Sequence, residues 1–221
     1  MEQLVLKLAP PAEPTLDNFL PGQNAGALAA LRSILAGSER VAYLWGESGS
    51  GKSHLLRALT AAARDMEITS QYMDRNSDNS LPITARLLCA DDADEWLAPR
   101  QEALFNRFNS ARLDGGMIVA SGRVPPADLA LRTDLRSRIA SGIVLQLHPL
   151  SDAEKRAAIE ANAHGRGFDL KREIIDYLLA HHARDMRSLS SIVAALDEYS
   201  LRTQRAVTLP LVRDALKQSA R

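Results

Sequence analysis

Between positions 46 and 53 the chain reads Gly46-Glu47-Ser48-Gly49-Ser50-Gly51-Lys52-Ser53. Glycines at this spacing let a backbone turn so that successive N–H groups converge on one point, a concavity suited to phosphate oxygens. Lys52 is the cation such a loop uses to neutralise the β- and γ-phosphates of a nucleotide, and the Ser53 hydroxyl is a ligand for Mg²⁺. Further along, Arg86-Leu87-Leu88-Cys89-Ala90-Asp91-Asp92 is an apolar run that ends in two acids. A carboxylate at the end of a neighbouring strand faces such a loop and holds the metal. Asp91 is expected in that role, and Asp92 is expected to orient or deprotonate an attacking water. Phosphoryl transfer also builds charge that an arginine can stabilise. Arg136 and Arg138 lie in Asp134-Leu135-Arg136-Ser137-Arg138-Ile139, and Arg187 in Arg184-Asp185-Met186-Arg187-Ser188-Leu189. Read alone, each is an ordinary surface arginine.

The elements that must hold these residues are legible around them. A helix is expected from about Asn24 to Ala36, closed by Gly37. Val41-Ala42-Tyr43-Leu44-Trp45 reads as a buried strand that runs into the glycine loop, and a helix with Leu55, Leu56, Leu59 and Ala62 on one face follows. Strand, glycine loop and helix is the context a phosphate-binding loop requires. The run ending in Asp91 and Asp92 is a second strand. A helix over roughly 99–113, a third strand over 115–121, a helix from Leu135 to Ile139 and a fourth strand over 143–147 complete the alternation. Alternating strands and helices predict a parallel sheet. The stretch between the first two strands, roughly 68–85, is short and polar.

The pattern changes after His148-Pro149-Leu150. Ser151-Asp152-Ala153-Glu154 has the spacing of a capping box, and helices are expected at about 152–164, 171–182, 186–202 and 209–219. Asp185 can cap the third, and Thr208 with Pro210 can start the fourth. Three segments result: a tail and spacer over 1–14, an α/β nucleotide-binding domain over 15–149, and a small all-helical domain over 150–221. In the tail, Leu4, Leu6 and Leu8 alternate with Gln3, Val5 and Lys7. Ala9-Pro10-Pro11-Ala12-Glu13-Pro14 then forms a stiff extended spacer.

Lysine plus arginine equals aspartate plus glutamate, 27 each in 221 residues, so bulk charge gives no argument for gripping nucleic acid. Aromatics at 5% leave few stacking platforms for bases. The single cysteine, Cys89, cannot form an internal disulfide, which favours a reducing compartment; in its apolar run it reads as a small core residue. No apolar stretch approaches the ~20 residues that span a bilayer, and Met1-Glu2-Gln3-Leu4 lacks the basic start of a signal peptide. A soluble, cytoplasmic protein is expected.

The order of motifs resembles the AAA+ superfamily and, within it, the DnaA family of bacterial replication initiators and their shorter regulatory homologues. The resemblance is carried by residues 15–24, Thr15-Leu16-Asp17-Asn18-Phe19-Leu20-Pro21-Gly22-Gln23-Asn24, and by the phosphate loop continuing into His54-Leu55-Leu56. It continues through Asp91-Asp92, Leu135-Arg136-Ser137-Arg138, Pro149-Leu150-Ser151-Asp152 and Asp185-Met186-Arg187-Ser188-Leu189. It implies an AAA+ P-loop domain, with a parallel sheet flanked by helices, followed by a helical lid. It also implies ADP or ATP with Mg²⁺ as ligand. Phe19, Leu20 and Pro21, in the stretch reaching Asn24, would line the adenine pocket, with His54 following the loop. Arg138 matches the family's arginine finger, which reaches into a partner's nucleotide site, and Arg187 matches the lid arginine that touches bound nucleotide.

The tail Gln3-Leu4-Val5-Leu6-Lys7-Leu8 resembles the Gln-Leu-x-Leu-x-Leu peptide by which short homologues bind the ring-shaped DNA polymerase sliding clamp (its beta subunit). Gln3 would hydrogen-bond a pocket rim while Leu4, Leu6 and Leu8 bury apolar area. The resemblance thus implies a negative regulator of replication initiation that docks on the clamp and makes DnaA hydrolyse its own ATP. A homodimer is compatible with an AAA+ module carrying an unpaired finger. Two departures matter. The family carries a polar, often acidic, residue after the third strand, whereas Ser121-Gly122-Arg123-Val124-Pro125-Pro126 offers Ser121 as the close hydroxyl in a loop shifted by one position. Weak turnover of its own is therefore expected. The few residues after the lid also predict no helix-turn-helix domain, hence no sequence-specific DNA reading. The alternatives are a free-standing P-loop ATPase or small-molecule kinase, for which no acceptor site is visible, and a helicase-loader-like DNA remodeller, which neutral charge and few aromatics disfavour.

Overall fold

The computed structural model describes residues 13–77, 84–181, 186–203 and 207–213. Within residues 13–149 five short runs form strands: β1 (Val41–Trp45), β2 (Ser70–Met73), β3 (Leu87–Ala90), β4 (Met117–Gly122) and β5 (Ile143–Gln146). All pairings are parallel and the spatial order is β2-β3-β4-β1-β5. The register sets Val41 beside Ile118, Ala42 beside Ile143, Leu87 beside Met117 and Ser70 beside Leu87.

Every residue of β3 and β4 is buried, as a strand covered on both faces requires. Their side chains alternate between two cores, following the two-residue period of a strand. Ala42, Leu44, Leu87, Cys89, Met117 and Val119 join one core with Leu31 and Ile34 of α1 (Ala25–Leu35) and Leu55, Leu56 and Leu59 of α2 (Lys52–Asp65). Tyr43, Leu88, Ala90, Ile118 and Ala120 join the other with Leu104 and Phe108 of α3 (Ala98–Asp114) and Leu135 and Ile139 of α4 (Thr133–Ala140). Each fully buried leucine or isoleucine contributes about 1.5–3 kcal/mol before ordering costs, so the sheet is clamped from both faces.

One strand departs from the sequence expectation. β2 falls in the stretch that reads as short and polar, which makes the sheet five-stranded rather than four-stranded. Among the described residues it is an edge strand, paired with β3 alone, and of Ser70, Gln71, Tyr72 and Met73 just Met73 is buried. A strand with one neighbour and one half-covered face lacks the apolar run that marks the others.

From Leu150 onward the chain forms a separate helical unit. Its helices are α5 (Asp152–Gly165), α6 (Arg172–His181) and α7 (Met186–Thr203), with a helical turn over 209–213. The capping box forms at α5: the Glu154 N–H donates to Ser151 Oγ at 3.3 Å, and the Ser151 N–H donates to Glu154 Oε2 at 2.8 Å. Ile159, Ile174, Ile175, Leu178, Leu189, Val193, Leu196 and Val212 build a core of their own. The expected cap Asp185 and the end of the last expected helix lie outside the described residues. Among the described residues no helix is long and apolar enough to cross a membrane.

Candidate functional site

The glycine loop leaves the sheet from β1, between β4 and β5. The Gly46 N–H donates to the Gly122 carbonyl at 3.3 Å, and the Leu147 N–H donates to the Trp45 carbonyl at 2.7 Å. A Cβ at Gly46 would lie 2.3 Å from the Leu147 carbonyl oxygen, so only glycine fits. Gly51 turns in the left-handed region (φ +98°), where a Cβ would also lie 2.7 Å from the Phe19 ring. α2 starts at Lys52, and no side chain caps its N-terminus. Its first-turn N–H groups are therefore left to whatever enters the loop, with the positive end of the helix dipole behind them.

Two side chains test whether a polyphosphate fits. Ser50 is buried, and its hydroxyl has no hydrogen-bond partner among the described residues. Lys52 is only 6% exposed and folds over the loop, where Nζ donates to the Gly46 carbonyl at 2.8 Å and the Glu47 carbonyl at 3.1 Å. An orphaned hydroxyl, an uncapped helix and an ammonium parked on neutral carbonyls all fit an anionic ligand. Glu47, Ser48 and Gly49 are exposed at the loop tip, while Ser53 and His54 are half-buried.

Beside the loop, Phe19 is buried and tilts against His54 at 5.5 Å between ring centroids. His54 Nε2 lies 3.1 Å from the Thr15 carbonyl oxygen. The segment is pinned at its other end by Asn24, whose Nδ2 donates to the His148 carbonyl at 2.8 Å and whose Oδ1 accepts from the His148 N–H at 2.8 Å. Leu20, 41% exposed, and Pro21 stay open to solvent between these anchors.

The two acids sit where β3 ends, and their environments differ. Asp91 is 3% exposed. Both of its carboxylate oxygens accept a hydroxyl: Ser121 donates to Oδ1 at 2.6 Å and Tyr72 donates to Oδ2 at 2.6 Å. Its main chain is held as well, by the Asp91 N–H donating to the Met73 carbonyl at 2.8 Å and by Trp96 Nε1 donating to the Asp91 carbonyl at 3.0 Å. Asp92 is half-buried with a left-handed backbone (φ 45°), and its N–H donates to Ser121 Oγ at 2.9 Å. Burial and the neighbouring Asp91 push the Asp92 carboxyl above its ordinary value, with Lys52 opposing. The Ser53 hydroxyl and the Asp91 carboxylate are oxygen donors of the kind Mg²⁺ takes. No group of three or more His, Cys, Asp or Glu that could cage a metal occurs among the described residues.

The sequence reading missed Tyr72, because it lies on the edge strand that the reading also missed. Burial and Asp91 push its phenol well above the ordinary value, so it is an O–H donor at any working pH. The Arg57 guanidinium stacks 4.9 Å above its ring and lies 3.9 Å from Asp74. Ser121 is buried inside β4, level with Leu44, and Gly122 is still strand. β4 therefore runs one residue past Ser121, where the sequence expectation ended the strand.

Arg138 sits half-buried in the last turn of α4, and neither it nor Arg136 has a side-chain hydrogen bond or ion pair among the described residues. Arg132 on the same segment is occupied, 2.6 Å from Asp134 and 5.8 Å from the centre of the Phe105 ring. Nothing among the described contacts joins Arg138 to the P-loop or the acids. Arg187 lies in the first turn of α7, but its side chain is outside what the structure describes, and Gln3, Leu4, Leu6 and Leu8 lie outside the described residues altogether.

A parallel sheet in this order, a P-loop on an interior strand, an acid pair two strands away across β4 and a following helical unit define an AAA+ module. Residues 152–216 match the family model described as the Hda lid domain. An uncharacterised protein of Haemophilus influenzae is 31% identical over 231 aligned positions, which span 97% of this chain and 98% of the relative. The chain belongs to the Hda-like, DnaA-related family of AAA+ proteins. Among solved structures, domain III of the Thermotoga maritima initiation protein DnaA superposes with a TM-score of 0.73 at 21% identity, covering 95% of this chain and 98% of that one. AMPPCP-bound DnaA from Aquifex aeolicus superposes with a TM-score of 0.67 at 21% identity, covering 87% of this chain and 70% of that one. Both likenesses concern the fold.

Proposed function

We propose that this protein is a negative regulator of replication initiation that holds ADP or ATP with Mg²⁺ in the P-loop and acts on DnaA in trans. The clamp-binding tail, Gln3 to Leu8, docks it on the DNA-loaded sliding clamp. Arg138 then enters the nucleotide site of ATP-bound DnaA and stabilises charge on the transferring phosphoryl group, so that DnaA hydrolyses its ATP. In its own site Lys52 and the α2 N-terminus bind phosphate, Phe19, Leu20 and Pro21 flank the base, and Ser53 and Asp91 hold the metal. Asp92 positions water, and Arg187 senses the nucleotide from the lid. The supporting observation is that Arg138 lacks an acidic partner among the described residues, on a helix of the same unit as a complete P-loop. A cation supplied to a neighbour's site must remain uncommitted within its own chain.

The test measures conversion of DnaA-bound ATP to ADP with clamp loaded on DNA. Wild-type protein should accelerate conversion; Arg138→Ala should lose most of a stimulation that such arginines bring to about 10³–10⁵-fold, while its own nucleotide affinity survives. Undiminished stimulation by Arg138→Ala, or by protein lacking residues 1–8, refutes the respective assignment.

A further inference from the structure

We propose that Tyr72 is a positioning residue for the metal-binding acid: from the edge strand it fixes Asp91 Oδ2, while Ser121 Oγ donates to Asp91 Oδ1 and itself accepts from the main-chain N–H of Asp92. This rests on the nucleotide reading of the P-loop. Four observations carry it. Asp91 is buried, so each oxygen needs a donor or a cation, and a single donor would leave the group free to pivot. The two donors come from opposite sides in sheet order, Tyr72 on β2 and Ser121 on β4, with β3 between them. One bond on each oxygen still leaves each a lone pair for a metal or its water. Finally, the phenol is itself braced, because Arg57 lies over the ring and reaches toward Asp74 beyond the end of β2.

A chain of contacts, Asp74–Arg57–Tyr72–Asp91–Ser121–Asp92, thus ties the sheet edge to the acid pair. Partners that orient a metal ligand act on metal affinity rather than on the remainder of the bound molecule. Tyr72 should accordingly govern the Mg²⁺ requirement of nucleotide binding and leave metal-free binding alone.

The experiment titrates a fluorescent ADP analogue onto the full chain, first in EDTA and then across a Mg²⁺ series, for wild type, Tyr72→Phe, Asp91→Asn and the double variant. For Tyr72→Phe the metal-free affinity should stay at the wild-type value, while the Mg²⁺ concentration for half-maximal tightening rises about 10-fold or more. In the Asp91→Asn background the same change should add nothing, because the two residues act as one unit. An unchanged Mg²⁺ requirement in Tyr72→Phe, or an equal loss of affinity in EDTA and in Mg²⁺, overturns the proposal. Tyr72→His restores a donor at the edge and should recover part of the Mg²⁺ response. If neither variant folds, as judged by circular dichroism, Tyr72 is a core residue and the proposal falls. Wild-type protein that binds no adenine nucleotide under any condition would instead sink the P-loop reading itself.

Discussion

Replacing Lys52 by alanine separates what the ammonium does for the folded chain from what it does for a ligand. In the structure Nζ donates to two loop carbonyls, at 2.8 and 3.1 Å, and the side chain is 6% exposed. Those bonds exist without ligand, and hydrogen bonds to charged groups contribute about 1.5–3 kcal/mol each. To reach phosphate the lysine must release at least one of them. The gross gain from two charge-assisted phosphate contacts, about 3–6 kcal/mol, is therefore offset in part by the carbonyls left behind. A net effect of about 2–3 kcal/mol corresponds to a roughly 30- to 150-fold weaker nucleotide Kd. The folded chain should lose less, because the vacated carbonyls lie next to exposed Glu47 and can take water. Equilibrium titration with an ADP analogue gives the first quantity and urea unfolding without nucleotide gives the second. An affinity within threefold of wild type would show that the loop does not close on a polyphosphate. A stability loss equal to the binding loss would show that the lysine is chiefly a structural strut.

Two further substitutions test the acids and the loop. Asp92→Asn removes a carboxylate whose pKa is raised by burial and by Asp91. A raised carboxyl contributes stability that is fully present below the unfolded pKa and is lost as pH rises through the folded one, so at neutral pH the ionised form costs the fold. Asp92→Asn should therefore raise the melting midpoint at neutral pH, by an increment that shrinks as pH falls into the ordinary carboxylate range. Asparagine's tolerance of the left-handed backbone adds only a pH-independent part, and a pH-independent gain would refute the electrostatic account. Gly51→Ala forces a side chain into φ +98° and against the Phe19 ring; a loss of about 2–4 kcal/mol in urea unfolding is expected, of which Phe19→Leu should recover only the steric share.

The loop, the acid pair and four of the five strands were legible because their signals are local. Glycine at 46 and 51 answers a backbone need, and the β3 and β4 runs are apolar throughout because helices cover both faces. β2 was not legible, since Ser70, Gln71 and Tyr72 are only half-covered at the sheet edge and carry no period that separates them from a polar loop. Tyr72 was lost with it: a hydroxyl that bonds a residue 19 positions away has no signature in spacing. Ser121 was noticed as a hydroxyl, but its bond to Asp91 spans 30 positions and depends on β3 and β4 being neighbours. The roles proposed for Arg138 and for the tail rest on the family resemblance alone, because a residue that acts on another molecule leaves no mark on its own chain's packing.

Two adjacent carboxylates at one strand end are useful only if they do different things, and the surroundings make them different before any ligand arrives. Asp91 is deep, with a hydroxyl on each oxygen and its main chain bonded on both sides; it is built to stay still, which the metal-holding role proposed for it requires. Asp92 is half-exposed, turned by its left-handed backbone and crowded by Asp91, with only Lys52 among the named influences favouring its charge. A nucleotide that draws Lys52 onto its phosphates would remove part of that support. Ser121 joins the two roles, donating to one acid and accepting from the main chain of the other, so that any displacement of Asp91 moves Asp92 with it.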